Sequence, residues 1–321
     1  MLLVTGATGF LGAELVAVAH ERGHDVRAVV RDPSRAGILP VTDDHGVVER
    51  VAADLADADS LVRAMDGCDG VLHAAAAVGA PGPEARELNV GGTGRVLDAA
   101  RRAGVGRVVH TSTSAAVLDA DGLVAEDAAG GTVLSDTYST TKADAEALVL
   151  ASAREADGVD AVVATVVNIY GPSPRGPRSY NILLAAAARG EVPEIVETSV
   201  GWTLARDVAE GQLALLEHGE RGRRYVLCGQ VASFPHVLDT YCALVGSPHR
   251  VTVLPPGSTL APGAPPFADR SEVYGHVGGY RVDDARARAL GIRCRGVDEG
   301  LAVTAAWLPE QTRPDQASQE Q

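Results

Sequence analysis

The chain has 321 residues, with 42 Asp and Glu against 28 Lys and Arg, for a formal net charge of −14. Phosphate-rich partners are repelled by such a charge, which argues against nucleic-acid or anionic-membrane binding. Apolar residues make up 46 % of the chain, enough for a sizeable core in one large domain or two small ones, and enough to exclude global disorder. In chain order, Leu2–Thr5 reads as a strand, followed by a Gly-rich turn and a helix over about Phe10–Arg22. Further strands are expected at Asp25–Val30, Val47–Ala52, Gly70–His73, Arg107–Thr111 and Ala161–Val167. Helical patterns lie between them, including Glu84–Ala103 and Asp136–Ala156. Strands that alternate with helices on this spacing predict right-handed βαβ units and a doubly wound parallel α/β sheet. Strands apolar on both faces fit a sheet covered by helices on both sides.

After about residue 170 the rhythm changes. Residues 171–177 form a Pro- and Gly-rich loop, Tyr180–Arg189 reads as a helix, and Pro255–Pro266 reads as a long loop. The expected division is a mainly dinucleotide-binding region over 1–170, a smaller substrate-binding region over 171–308 with segments returning to the first core, and a polar tail over 309–321. No apolar run approaches the roughly 18 residues needed to span a bilayer. The N-terminus shows no basic stretch and no cleavage site, so no signal peptide is expected. Cys68, Cys228, Cys242 and Cys294 are far apart. They fit reduced thiols of a cytoplasmic protein better than a disulfide frame or a zinc site. No HExxH and no Cys/His cluster points to a metal.

Two motifs carry chemistry. Thr5-Gly6-Ala7-Thr8-Gly9-Phe10-Leu11-Gly12 stands between the first strand and the first helix. There Gly6 allows a tight turn, Gly9 lets backbone approach a pyrophosphate, and Gly12 lets helix pack closely on strand. Backbone N–H groups at the helix N-terminus then face the phosphates, and this predicts dinucleotide binding. The second strand ends in Arg31 and Asp32; Arg31 lies 19 residues past Gly12. An Arg there accommodates a 2′-phosphate whereas an acid holds a 2′-hydroxyl, so NADP(H) is favoured over NAD(H). A solvated turn would account for the same pair.

The second motif is Tyr138-Ser139-Thr140-Thr141-Lys142 on a predicted helix, where the i, i+4 spacing puts Tyr138 and Lys142 on one face. Lys142 is the only Lys of the chain; the other 27 basic residues are Arg. A position that keeps Lys in so Arg-rich a chain suits a task that needs a compact ammonium. An ammonium beside a Tyr is expected to lower the phenol pKa, which fits it to exchange a proton with a carbonyl or alcohol.

The TGxxGxxG turn combined with YxxxK resembles the extended short-chain dehydrogenase/reductase family, the NAD-dependent epimerase/dehydratase group with its Rossmann fold. Within it the chain is most similar to dihydroflavonol-reductase-like ketone reductases, over residues 1 to about 307. Matching segments include Val30 to Pro33, Asp54-Leu55, His73 to Ala76, Leu88 to Thr93, Gly171-Pro172 and Arg206 to Ala209. The resemblance implies that Asp54 and Leu55 border the adenine and that Ala74, Ala75 and Ala76 line the cofactor path. It further implies that Lys142 contacts the nicotinamide ribose, and it places a third catalytic hydroxyl at Thr113, with Ser114 second. His73 falls at a structural position. Nucleotide-sugar members usually carry a diphosphate-binding Arg where this chain has Val200, while Asn168 resembles the epimerase pattern. The leading expectation is an NADPH-dependent reductase of a ketone or aldehyde of a small, largely apolar molecule, with Tyr138 as general acid. The alternatives are an NAD-dependent sugar or nucleotide-sugar epimerase or dehydratase, and a non-catalytic NADP-binding sensor. Relatives of this kind are often dimers, so a homodimer is a possible assembly.

Overall fold

The computed structural model describes residues 1–32, 34, 37, 39 and 46–311. Pro33 of the second-strand motif and residues 312–321 of the expected tail lie outside the described residues. Along the first half run β1 (Leu2–Thr5), α1 (Phe10–Glu21), β2 (Val26–Val30), β3 (Val48–Ala52), α2 (Ala58–Met65), β4 (Gly70–His73), α3 (Gly82–Arg86), α4 (Gly92–Ala103), β5 (Arg107–Thr113), β6 (Leu123–Ala125), α5 (Thr137–Arg154) and β7 (Ala161–Val166). The second half adds β8 (Asn168–Tyr170), α6 (Asn181–Ala188), β9 (Glu194–Val196), β10 (Ser199–Leu204), α7 (Ala205–His218), β11 (Arg224–Leu227), β12 (Gln230–Ser233), α8 (Phe234–Leu244), β13 (Thr252–Leu254), α9 (Asp269–Gly275), β14 (Arg281–Asp283), α10 (Ala285–Ala289) and α11 (Val297–Gln311).

Seven strands form one parallel sheet in the order β3-β2-β1-β4-β5-β7-β11. It is a Rossmann-type α/β fold. The alternation of side chains sorts the core into two layers. Val4, Leu72 and Val109 pack with Leu15 of α1 and Val208 of α7. Leu3, Val71 and Val108 face the other way, toward Leu61 of α2, Val96 of α4 and Val149 of α5. Strand order reverses between β1 and β4, which opens a crevice at their carboxyl ends, the place where such sheets bind ligands.

A second core belongs to the later part of the chain. Trp202 on β10 is 1 % exposed and meets Phe234 and Tyr180 edge to face, with ring centroids 5.1 Å apart in both cases. It sits by the three-stranded sheet β12-β10-β8. Buried charge fixes the last strand of the large sheet. Arg224 on β11 pairs with Glu146 of α5, both almost fully buried. Glu126 accepts from the backbone N–H groups of Val226 and Ala287, at 3.0 and 2.9 Å.

Several ends, such as those of α1, β2, β5 and α5, shift from expectation by one or two residues, and two boundaries differ in kind. The helical run expected over Glu84–Ala103 is broken by a π-helical turn at Glu87–Gly91. That turn directs Asn89 inward to hold Ala77, accepting from its N–H at 2.7 Å. The last helix runs on through Pro309 to Gln311, into the start of the expected tail, because Leu308 is buried and docks the final turn. No helix among the described residues is long and apolar enough to cross a membrane.

Candidate active site

The Gly-rich turn lies at the carboxyl end of β1. Gly6 has φ +68°, a left-handed value, and a Cβ built there would stand 2.7 Å from the Ala75 backbone N. At Gly12 a Cβ would fall 2.0 Å from the Gly6 carbonyl oxygen. The turn is therefore shaped by the absence of side chains, and Thr8, Gly9, Phe10 and Leu11 carry it into the helix N-terminus. This cradle fits a dinucleotide pyrophosphate. Ala74, Ala75 and Ala76 follow β4 alongside it and are not buried. At the ends of the neighbouring strands, Arg31 and Asp54 are exposed and Leu55 is half-buried. Asp54 accepts from the Ala56 N–H at 2.9 Å, and Asp32 accepts from Ser34, so both carboxylates shape turns.

Beneath the cradle runs a buried polar chain. Thr5 Oγ1 lies 2.7 Å from His73 Nδ1, and His73 Nε2 lies 3.1 Å from Thr93 Oγ1. The Thr93 hydroxyl donates to the Asn89 carbonyl at 2.6 Å. Asn89 Nδ2 donates to Thr141 Oγ1 at 3.0 Å, and this links the strand ends to α5. Burial holds His73 neutral, with its pKa lowered to about 3 and the Lys142 charge adding to the effect.

Helix α5 starts at Asp136, whose carboxylate caps it by accepting from the Ser139 N–H and hydroxyl at 3.1 and 2.6 Å. Lys142, 3 % exposed, points from the next turn toward β5. Its Nζ donates to the Thr111 carbonyl at 2.7 Å and stands 3.4 Å from His110 Nε2. Burial lowers its pKa to about 8, and the Glu146 carboxylate one turn further along opposes that fall. Tyr138 is only partly exposed. Its pKa is raised above that of a free phenol by burial, while a hydrogen bond with the Thr113 hydroxyl and the charge of Arg270 pull the other way. The expected lowering of the phenol pKa is thus not what the structure shows: desolvation is the larger effect. Thr113 meets Tyr138, whereas Ser114 is buried and hydrogen-bonds Tyr280.

Arg270, on α9, was not singled out in the sequence. It sits far from the motifs in the chain, among scattered Arg residues, and only folding brings it beside Asp136. Val200 is 1 % exposed and paired with Ala232 across β10 and β12, so no cation stands at that position. Among the described residues no group of three or more His, Cys, Asp or Glu is placed to hold a metal ion.

The family model "NAD dependent epimerase/dehydratase family" matches residues 2–228. The chain is 34 % identical over 259 residues to "Sterol demethylase protein B" of Methylococcus capsulatus, which covers 79 % of this chain and 77 % of that one. It is 33 % identical over 262 residues to "Putative dihydroflavonol 4-reductase" of Synechocystis sp., covering 78 % and 74 %. Among solved structures it is similar to "MoeE5 in complex with UDP-glucose and NAD", with TM-score 0.77, 29 % identity, and 96 % and 98 % of the two chains covered.

Proposed function

We propose that this chain, which belongs to the NAD dependent epimerase/dehydratase family and is an NAD(P)-dependent oxidoreductase, reduces a ketone or aldehyde of a small, largely apolar molecule to an alcohol. The observation that carries the reading is the hydrogen bond of Tyr138 with Thr113 at the carboxyl end of β5, with Lys142 one turn along α5 anchored on the Thr111 carbonyl of the same strand. A phenol whose pKa is raised by burial stays protonated at neutral pH. That is the form a general acid needs for reduction. Thr113 supplies a hydrogen bond to the oxygen that Tyr138 protonates. Lys142, anchored by the Thr111 carbonyl, presents a positive charge to the same side of α5 and to the ribose of the dinucleotide.

A bound nicotinamide supplies the hydride. The protein binds, orients and delivers the proton from Tyr138 Oη. The glycine cradle holds the pyrophosphate, Asp54 and Leu55 border the adenine, and Ala74 to Ala76 line the path between. Arg31, exposed at the end of β2, supports NADP(H) over NAD(H). Residues 171–308 form most of the substrate-binding region in this reading.

A second reading is an epimerase or dehydratase that keeps NAD bound through each cycle. Similarity to MoeE5, solved with UDP-glucose and NAD, favours it; Val200 does not. The test is to denature the purified protein, quantify any released dinucleotide, and titrate the emptied protein with NADPH and NADH. An empty protein that prefers NADPH and reduces members of a ketone and aldehyde panel supports the first reading. Tyr138→Phe should then lower kcat by about 10²–10⁴-fold with NADPH affinity unchanged. Stoichiometric retained NAD⁺ moves the assignment to the second.

A further inference from the structure

Arg270 is a half-buried cation that the chemistry above does not use. Its side chain keeps 17 % exposure, so it is covered by protein yet still reachable by a small molecule. A guanidinium carries five N–H donors in a fixed fork. Among the described residues, those of Arg270 reach two partners, both at long range. Nη2 stands 3.5 Å from the Tyr274 hydroxyl and Nη1 stands 3.6 Å from Asp136 Oδ2. That same Asp136 oxygen already accepts the Ser139 hydroxyl at 2.6 Å. Both contacts share that oxygen, and among the described residues no further acceptor engages the fork, which leaves donors over.

The surroundings fix where those spare donors lie. Arg270 packs over the Tyr274 ring, 5.1 Å from its centroid. Its charge is felt by both Tyr138 and Tyr180. The Tyr180 ring in turn meets Phe267 at 5.0 Å. Phe267 holds φ +72°, a conformation unusual for a side chain of its size, three residues before Arg270. So one fork of donors stands against the cap of the helix that carries Tyr138, in an aromatic wall.

We propose that Arg270 is a specificity-determining residue that binds a carboxylate of the substrate, so that the preferred substrates are carbonyl compounds with an acid group close to the reacting carbonyl and an apolar body beyond it. This rests on the carbonyl-reductase reading and narrows it. A planar fork matches a carboxylate bidentately, and charge-assisted hydrogen bonds of this kind are about twice as strong as neutral ones. Neither a neutral amide nor a methyl ketone offers the second anionic oxygen. Asp136 shares the charge of Arg270 in an ion pair at 3.6 Å, and a substrate carboxylate would engage the donors of the fork that this pair leaves over.

The test compares two unreactive probes, hexanoate and hexanamide, by titration calorimetry against the full chain saturated with the dinucleotide it binds. Hexanoate is expected to bind at least about tenfold more tightly, and Arg270→Gln is expected to bring the two within about twofold. Hexanoate should also protect Arg270 from phenylglyoxal, read by mass spectrometry, which needs no variant. Equal affinity of the two probes for the unaltered protein, or no binding of either, overturns the proposal. So does a carboxylate preference that survives in Arg270→Gln. The reductase reading fails separately, by absence of turnover on every member, acidic and neutral, of a ketone and aldehyde panel, which the binding comparison does not use.

Discussion

At the residue scale, burial acts in opposite directions on the acid and the base of α5. It pushes the Tyr138 phenol up and the Lys142 ammonium down, because both charged forms lose hydration. The consequence is a prediction about pH. Lys142 loses its charge as pH rises through about 8, while Tyr138 remains protonated beyond that point. The kcat/KM for carbonyl reduction should therefore fall about tenfold per pH unit above roughly 8. A profile measured from pH 6 to 10 that stays flat to pH 10 would show that activity does not need a charged Lys142.

At the element scale, the sharpest constraint is the strand–turn–helix junction of β1 and α1. A methyl group at Gly12 meets backbone oxygen at 2.0 Å, and backbone cannot swing aside as a side chain can. Gly12→Ala should shift α1 away from β1 and cost about 2–4 kcal/mol, within the range of strained or overpacked sites. Dinucleotide affinity should fall by at least about tenfold, since in the proposed function phosphate contact depends on the same backbone. Urea unfolding and NADPH titration of the variant check both, and a variant with unchanged affinity would show that the turn does not bind phosphate. The π-helical turn at Glu87–Gly91 makes a related point about elements. Periodicity reads through it as one helix, because the apolar pattern continues on both sides. The extra residue in the turn is revealed only by where Asn89 has to reach, between Ala77 and Thr141.

For the whole molecule, one carboxyl outside the site links stability to pH. Glu14 lies on α1 against α7, 6 % exposed, beside a cavity of about 360 Å³ also lined by Arg206, Arg295 and Trp307. Burial raises its pKa from 4.5 to about 7; Arg206 at 4.0 Å opposes the rise, while Glu21 and Glu210 add to it. The folded protein thus holds a proton that the unfolded chain has released between about pH 4.5 and 7. Stability from this group is present below pH 4.5 and is lost as pH rises to about 7. Glu14→Gln should therefore stabilise the protein at pH 8 by roughly 1–3 kcal/mol, an advantage that disappears toward pH 4.5. Melting temperatures of the two proteins at pH 5 and pH 8 decide it. An equal difference at both values would trace the effect to packing instead of ionisation.

Most of the parallel sheet was legible along the chain, because each βαβ unit is local in sequence and buried strands must be apolar on both faces. Leu2–Thr5 and Gly70–His73 were bounded as found. The glycine turn and the Tyr138 to Lys142 spacing could be read for the same reason: each is a pattern of residues a fixed few positions apart. Contacts between distant segments could not be read this way. Which hydroxyl at the end of β5 meets Tyr138 depends on how that strand end turns, and only the fold separates Thr113 from Ser114. Nor does spacing bring Arg270 to Asp136, 134 positions away in the chain, or set the direction in which the phenol pKa moves. Those depend on how deeply each group is buried and what else is buried with it, and burial is a property of the packed molecule.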